Sequence, residues 1–298
     1  MKRHLLPLLA CPVCGQGLDF GGLATDERLV QGVLRCDGCA RQYQVLDELP
    51  ILKERGLSAD QWQWEVDVSN VRDFDALRLA YEAALSDEVR AAKSAIIEHI
   101  LALVSEGSGP ILDVATGMGT LFRPLAARLA ALSRAAGPRD GLASDVDESV
   151  LRGTQRKLRR EGETAAASFL VSDARHLALR EGVMGAVVSF FGFCNVPDGS
   201  TVLREAARVL RHGGLLVFST LLLQEDSPGF RLAAEKGYGG LMSVDGVKAA
   251  LEGAGLQFLE QEVFVSGRWP GCPYDLLPLE GDGFAYSVFT ARKPGPGH

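Results

Sequence analysis

The sequence predicts an α/β protein: a mostly parallel sheet with helices on both faces, preceded by a small cysteine-built domain. Two observations carry that reading. From about residue 108 onward, short apolar runs alternate with amphipathic stretches, the pattern of successive βαβ units. Before residue 55, four of the six cysteines fall into two Cys-x-x-Cys pairs. The length agrees, since 298 residues at ~150 per domain leave room for more than one unit. A composition of 47% hydrophobic and 23% charged residues excludes a disordered or fibrous chain. A net charge of −7 speaks against a protein that coats nucleic acid through its overall charge. No apolar run reaches the ~18–20 residues that cross a bilayer. The apolar stretch after Met1 is short, broken by Pro7, and runs straight into Cys11, a poor signal peptide. A soluble, cytoplasmic chain is expected.

The organisation follows from these patterns. Residues 1–55 form the cysteine domain, 56–107 a helical linker and lid, 108–293 the α/β domain, and 294–298 a flexible tail rich in Gly and Pro. In the first part, Cys11-Pro-Val-Cys14 and Cys36-Asp-Gly-Cys39 are separated by residues 15–35. Each Cys-x-x-Cys turn sets two sulfurs on one side of a tight loop. Two such knuckles joined by a hairpin give four thiolates at tetrahedral geometry, which suits Zn²⁺. The competing readings are redox dithiols or free thiols. Seven Lys and Arg balance seven Asp and Glu within residues 1–55, so the module shows no basic footprint of its own.

Together with Leu8-Leu9-Ala10 before the first knuckle and Tyr43-Gln-Val-Leu-Asp-Glu-Leu-Pro50-Ile51-Leu52 after the second, this module resembles a family of small zinc ribbons. These are the activating subunits of eukaryotic RNA and protein methyltransferases, and their bacterial relatives. The resemblance implies zinc at Cys11, Cys14, Cys36 and Cys39.

In the linker, Val89, Ile96, Ile97, Ile100, Leu103 and Val104 fall on one helical face. Trp62, Trp64, Phe74 and Tyr81 precede it, either packing the two domains together or, for Tyr81 or a Trp, closing over a site.

The α/β domain opens with Ile111-Leu-Asp113-Val-Ala115-Thr116-Gly117-Met-Gly119-Thr120, a buried strand, a glycine turn and a helix start. Small residues at 115, 117 and 119 let a ligand approach the backbone. A dinucleotide site would use a third glycine against the pyrophosphate; here the pattern stops at two, and Asp113 stands where such sites are apolar. A second strand, Gly141 to Asp145, ends in a carboxylate placed for a ribose diol. A third, Phe169 to Ala174, carries Asp173 toward an adenine amino group. A fourth, Gly185 to Phe191, and an apolar strand, Leu215 to Leu221, follow, with a helix from Ser200 to Leu210 between them.

This series resembles the class I S-adenosylmethionine-dependent methyltransferases over residues 86–293, which implies a Rossmann-like sheet of seven strands, its last pair Leu256–Val265 and Phe284–Arg292 antiparallel at the edge. The resemblance implies S-adenosyl-L-methionine as cofactor, held by Asp113, Ala115, Thr116, Gly117, Gly119, Asp145, Val146, Asp173, Ala174 and Phe190. Phe191-Gly-Phe193-Cys194-Asn195-Val-Pro-Asp198 further resembles the quinone-biosynthesis C-methyltransferases, with Cys194 where those enzymes carry an arginine. Cys194 and Asn195 are the candidate catalytic residues.

The resulting expectation is methyl transfer to a small, aromatic or partly apolar metabolite, with Phe190 to Phe193 as a wall of its pocket. Two alternatives stand beside it. One is an rRNA or tRNA base methyltransferase that docks RNA through the ribbon and the basic run Arg152, Arg156, Lys157, Arg159 and Arg160; that run also reads as a solvated helix face. The other is a non-catalytic, methyltransferase-like binding subunit. The segment Gly267 to Tyr274 is the candidate cap over the substrate, or else a packed surface loop.

Overall fold

A computed structural model of the chain describes residues 1–53, 74–136 and 139–295. Trp62, Trp64 and the expected boundary at residue 55 lie outside the described residues. The N-terminal module is an antiparallel sheet of β1 (Leu18–Ala24), β2 (Leu29–Cys36), β3 (Gln42–Leu46) and β4 (Leu49–Pro50), in that spatial order. Pairing of Leu18 with Cys36 brings the first knuckle, just before β1, against the second, at the end of β2.

The larger sheet has seven strands: β5 (Ile111–Val114), β6 (Gly141–Asp145), β7 (Ala167–Val171), β8 (Met184–Phe190), β9 (Leu210–Leu223), β10 (Gln257–Arg268) and β11 (Gly283–Arg292). Their order is β10-β11-β9-β8-β5-β6-β7, with β5 to β9 parallel and the β11 and β10 pair antiparallel at one edge. Every residue of β5, β6 and β7 is buried, as expected of parallel strands covered on both faces. Period-2 alternation sorts them: Leu112, Val114, Leu142 and Leu170 face one core, Ile111, Ala143 and Phe169 the other.

Helices α2 (Asp87–Ser105), α3 (Phe122–Ala136) and α4 (Glu148–Glu161) cover the second face; α5 (Gly199–Val209) and α7 (Val244–Gly253) cover the first. The remaining helices are α1 (Phe74–Ala84), which leads into α2, and α6 (Pro228–Glu235). Capping fixes several starts. Ser86 accepts from Val89 N ahead of α2, and Asp147 accepts from Ser149 N and Val150 N ahead of α4, each satisfying an orphan N–H of the first turn. Among the described residues, no helix is long and apolar enough to cross a membrane.

The connection from β7 to β8, residues 172–183, contains no helix. The N-terminal module fills that place. Leu5, Leu9, Leu34, Val45 and Leu52 share one core with Leu170, Leu177, Leu179 and Met184. Ala10 N donates to Ala178 O (3.0 Å), Arg180 N to Leu8 O (2.8 Å), and Leu52 N to Val171 O (2.8 Å). Ile51 thereby bridges β7 in parallel and covers the edge strand of the sheet.

The basic run on α4 does not form a free patch. Arg159 pairs with Asp47 (2.7 Å), Arg152 with Glu148 (2.7 Å), Lys157 with Asp75 (2.5 Å) and Arg160 with Asp75 (3.6 Å). Gln155 adds a bond to Asp47 O (2.9 Å). The expectation of a solvated face is corrected here: these cations mainly tie α4 to the β3–β4 turn and to α1, and Arg156 remains exposed. The candidate cap is corrected as well. Trp269 is buried against Phe284 and Tyr286, so the first part of that connection is core, and its later residues Asp275 and Leu277 reach the cleft.

Candidate active site and metal centre

A cleft opens above the carboxyl ends of β5, β6, β7 and β8, where strand order reverses around β5, the place where open α/β sheets bind ligands. It encloses a cavity of about 340 Å³, within the range of small-molecule sites. Of the ten residues expected at the cofactor, Ala115, Thr116, Gly117, Asp145, Val146, Asp173, Ala174 and Phe190 line this cavity.

The glycine turn is built from its backbone. Ala115 and Gly117 adopt left-handed φ of 51° and 53°, and a side chain on Gly117 would meet nothing within 4 Å: the turn faces open space. Gly117 N donates to Asp145 Oδ2 (2.8 Å) and Asp147 N to Asp145 Oδ1 (3.0 Å). Each carboxylate oxygen keeps a further lone pair for a hydroxyl. Burial pushes the Asp145 carboxyl up to about 6 against those two backbone donors.

Asp113 and Gly119 stand elsewhere than in the cavity wall. Asp113 is buried beneath the turn, where it accepts from the Thr116 hydroxyl; burial pushes it up to about 7. A Cβ on Gly119 would lie 2.5 Å from Thr154 Cγ2, so that glycine seats the turn against α4. Both shape the turn from behind. Asp173 carries a partner the sequence did not announce: Arg175 Nη2 lies 3.0 Å from its Oδ2, and Arg175 N donates to its Oδ1 at 2.9 Å.

The other half of the cleft is aromatic. Phe190, Phe191 and Tyr286 line it, whereas Phe193 turns away into the core against Phe218, which removes it from the expected wall. Cys194 Sγ donates to Phe191 O (3.2 Å), as does Asn195 Nδ2 (2.7 Å). Both line the cavity and both hold the turn at Phe191, whose φ is 53°. Burial pushes the Cys194 thiol up, which keeps it protonated.

Lys93, Tyr81 and Asp275 complete this half. Lys93 Nζ donates to Tyr81 Oη (2.9 Å), and Tyr81 Oη donates to Asp275 Oδ2 (3.2 Å). Nζ lies 4.7 to 5.6 Å from the ring centres of Phe191, Tyr81, Tyr286 and Phe190. Sequence reasoning missed Lys93 and Asp275. For Lys93 a signal existed, because it sits four residues after Val89 and three before Ile96, on the apolar stripe of α2.

In the N-terminal module, the sulfurs of Cys11, Cys14, Cys36 and Cys39 all lie within 4.8 Å of one another, with Cys11 to Cys39 at 3.6 Å and Cys14 to Cys36 at 3.3 Å. A tetrahedron with Zn–S bonds of ~2.3 Å has sulfur edges of roughly 3.8 Å, so the cluster is of the right size for zinc. Tyr43 Oη lies 3.1 Å from Cys11 Sγ, placed to donate a hydrogen bond to a thiolate there.

Comparison with known proteins agrees with this geometry. A family described as "Methyltransferase domain" matches residues 112–218. Methyltransferase GfsG of Streptomyces halstedii is 28% identical over 156 residues, 50% of this chain and 53% of that protein. The ubiquinone/menaquinone biosynthesis C-methyltransferase UbiE of Acidiphilium cryptum is 33% identical over 121 residues, 40% of this chain and 45% of that protein. The chain thus spans about half the length of these curated relatives. Among solved structures, the geranyl diphosphate C-methyltransferase of Streptomyces coelicolor superposes with a TM-score of 0.50 at 16% identity, covering 67% of this chain and 79% of that one. A phosphoethanolamine N-methyltransferase of Haemonchus contortus gives 0.52 at 17% identity, covering 74% and 58%. Residues 112–218 therefore match a methyltransferase domain, and the large sheet shares its fold with these solved methyltransferases, with a four-cysteine cluster compatible with a zinc ribbon at its N-terminal side.

Proposed function

We propose that the protein transfers a methyl group from S-adenosylmethionine to a small, planar, partly apolar acceptor. The observation that carries this reading is the division of one 340 Å³ cavity into a turn-and-carboxylate half and an aromatic half that meet at Phe190. In the first half, Gly117 leaves room for the methionine portion, Asp145 accepts from the ribose hydroxyls, and Val146, Asp173 and Ala174 frame the adenine. Asp113 and Gly119 act behind the turn. The cofactor supplies an electrophilic methyl carbon. The protein's part is to hold the acceptor's electron pair in line with it and to exclude water, so that most of the rate comes from alignment. Cys194 and Asn195 serve by fixing the Phe191 turn.

The similarity to UbiE supports a flat acceptor, since that relative is named for quinone biosynthesis. RNA methylation is the weaker reading, because four of the five cations assigned to it are engaged in ion pairs. Zinc at Cys11, Cys14, Cys36 and Cys39 is structural in this proposal: four thiolates leave no open position.

Calorimetry with S-adenosylhomocysteine tests the cofactor half. Release of S-adenosylhomocysteine in the presence of substituted phenols, hydroxyquinones and unmodified tRNA tests the acceptor. Turnover with a small aromatic compound supports the proposal, and turnover with tRNA alone overturns it.

A further inference from the structure

We propose that Lys93 is the general base of the aromatic half, taking the proton from an acidic hydroxyl, phenolic or enolic, on a planar acceptor. This rests on the methyl-transfer reading and names the acceptor's chemistry.

The argument begins with where Lys93 sits. On the apolar stripe of α2, its half-buried side chain enters the cleft, and Nζ ends among four ring faces with, among the described residues, one hydrogen bond, to Tyr81 Oη. Enclosure holds the amine below the ordinary lysine range. Among the described residues, the groups facing it are Tyr81 and Glu82 from α1, Cys194 after β8, Cys272 and Asp275 from the β10–β11 connection, and Tyr286 from β11. Burial raises both tyrosines and both cysteines, which therefore stay neutral near pH 7. Glu82 is engaged by Arg78 at 2.6 Å. That leaves Asp275, itself raised by burial and opposed in that by Lys93 and Tyr81, as the carboxyl coupled to the amine through the Tyr81 hydroxyl.

Such an amine is suited to gain a proton during reaction. The ring faces and Asp275 favour the ammonium once formed, while desolvation keeps the free amine accessible beforehand. A depressed amine matches a phenol or enol; it is too weak a base for an aliphatic alcohol. The rings meanwhile admit a flat molecule. In the step itself the acceptor O–H bond breaks, its electron pair stays on oxygen, and the proton bonds to the lone pair of Lys93 Nζ. The result is an oxyanion beside an ammonium, with no net change of charge in the cleft.

The test uses the full chain with S-adenosylhomocysteine bound and 4-nitrophenol as probe, at a pH about one unit below that at which the free dye is half-ionised. Binding of S-adenosylhomocysteine is measured first; its failure sinks the cofactor reading, separately from this one. With it bound, the dye's phenolate band is expected to rise about fivefold over free dye, from about a tenth to about half ionised, equivalent to one pH unit. Calorimetry in two buffers of different ionisation heat is expected to show no proton passed to buffer, because the proton has moved to Lys93. Lys93→Met should keep S-adenosylhomocysteine affinity and lose the phenolate band. Should that variant fail to hold the cofactor product, Asp275→Asn should reduce the ionised fraction several-fold. Phenolate formed with one proton released to buffer would show a standing ammonium rather than a base. Dye bound in neutral form, not bound, or equally ionised in Lys93→Met or Asp275→Asn would also overturn the proposal.

Discussion

The two halves of the cleft are made in opposite ways. The cofactor half is assembled from consecutive strand ends, at residues 115–117, 145–146 and 172–174, each at the carboxyl end of its own strand, β5, β6 or β7. The aromatic half draws Tyr81 and Lys93 from before the sheet, Phe191 from its centre and Asp275 and Tyr286 from its last connection and strand. The first is held by backbone hydrogen bonds, the second by side chains packed on one another. A backbone-built site tolerates change in its surroundings and fails when its carboxylate goes. A side-chain-built site is adjustable, the property that lets one fold serve many acceptors.

Four experiments sharpen or break that contrast. The largest effect is expected for Asp145→Ala, which removes the ribose acceptor and also strands the N–H groups of Gly117 and Asp147. A loss of ~3 kcal/mol, ~100-fold in S-adenosylhomocysteine affinity, should appear by calorimetry; wild-type affinity would place the ribose elsewhere.

Next comes pH. With the Asp145 carboxyl raised to about 6, the ionised form predominates above that value and binds the hydroxyls. As pH falls through 6, a proton takes the lone pair a hydroxyl needs. S-adenosylhomocysteine affinity should therefore drop up to about tenfold between pH 7 and pH 5, with protons released on binding near pH 6. A flat profile would detach Asp145 from the ligand.

Metal removal acts on one half more than the other. Lys53 Nζ donates to Val146 O (2.8 Å), and Leu52 N bonds the end of β7 just before Ser172, so the module buttresses the cofactor side. Elemental analysis should find about one zinc per chain. Chelation should lower Tm by about 5–10 °C and weaken S-adenosylhomocysteine binding about threefold. Affinity untouched by complete metal loss would separate the module from the cleft.

The most local effect belongs to Phe191→Leu. Acceptor KM should rise about fivefold through lost ring contact, with S-adenosylhomocysteine affinity unchanged within about twofold. Equal effects on both ligands would dissolve the distinction between the halves.

Legibility in the sequence follows the same division. Asp113 to Gly119, Asp145 and Asp173 were readable because each sits at a fixed offset from a buried strand, so local pattern alone places it. The cysteine knuckles were readable for a like reason, their spacing being the geometry. Asp275 was not, since a carboxylate in a long connection looks like any solvated charge until Tyr81, far away in the chain, is folded against it. The role of Arg159 and its neighbours was hidden too: whether a basic helix face meets water or a turn of another module depends on docking, and periodicity does not encode docking. Arg175 beside Asp173 shows the limit within the legible half, where the motif located the carboxylate but not its competitor.

The placement of the N-terminal module over β7 has a bearing on how the chain is made. Synthesis delivers residues 1–53 before any strand of the large sheet, so the module's side of the shared core is made ahead of the strand it covers. When β7 emerges more than a hundred residues later, Ile51 and Leu52 are the backbone it has to meet, and the shared core around Leu9, Leu34 and Leu170 closes the seam. The folded chain therefore joins its earliest and later residues at one seam: the module covers the edge of β7 at the strand end that leads into Asp173 and leaves that end closed to another strand.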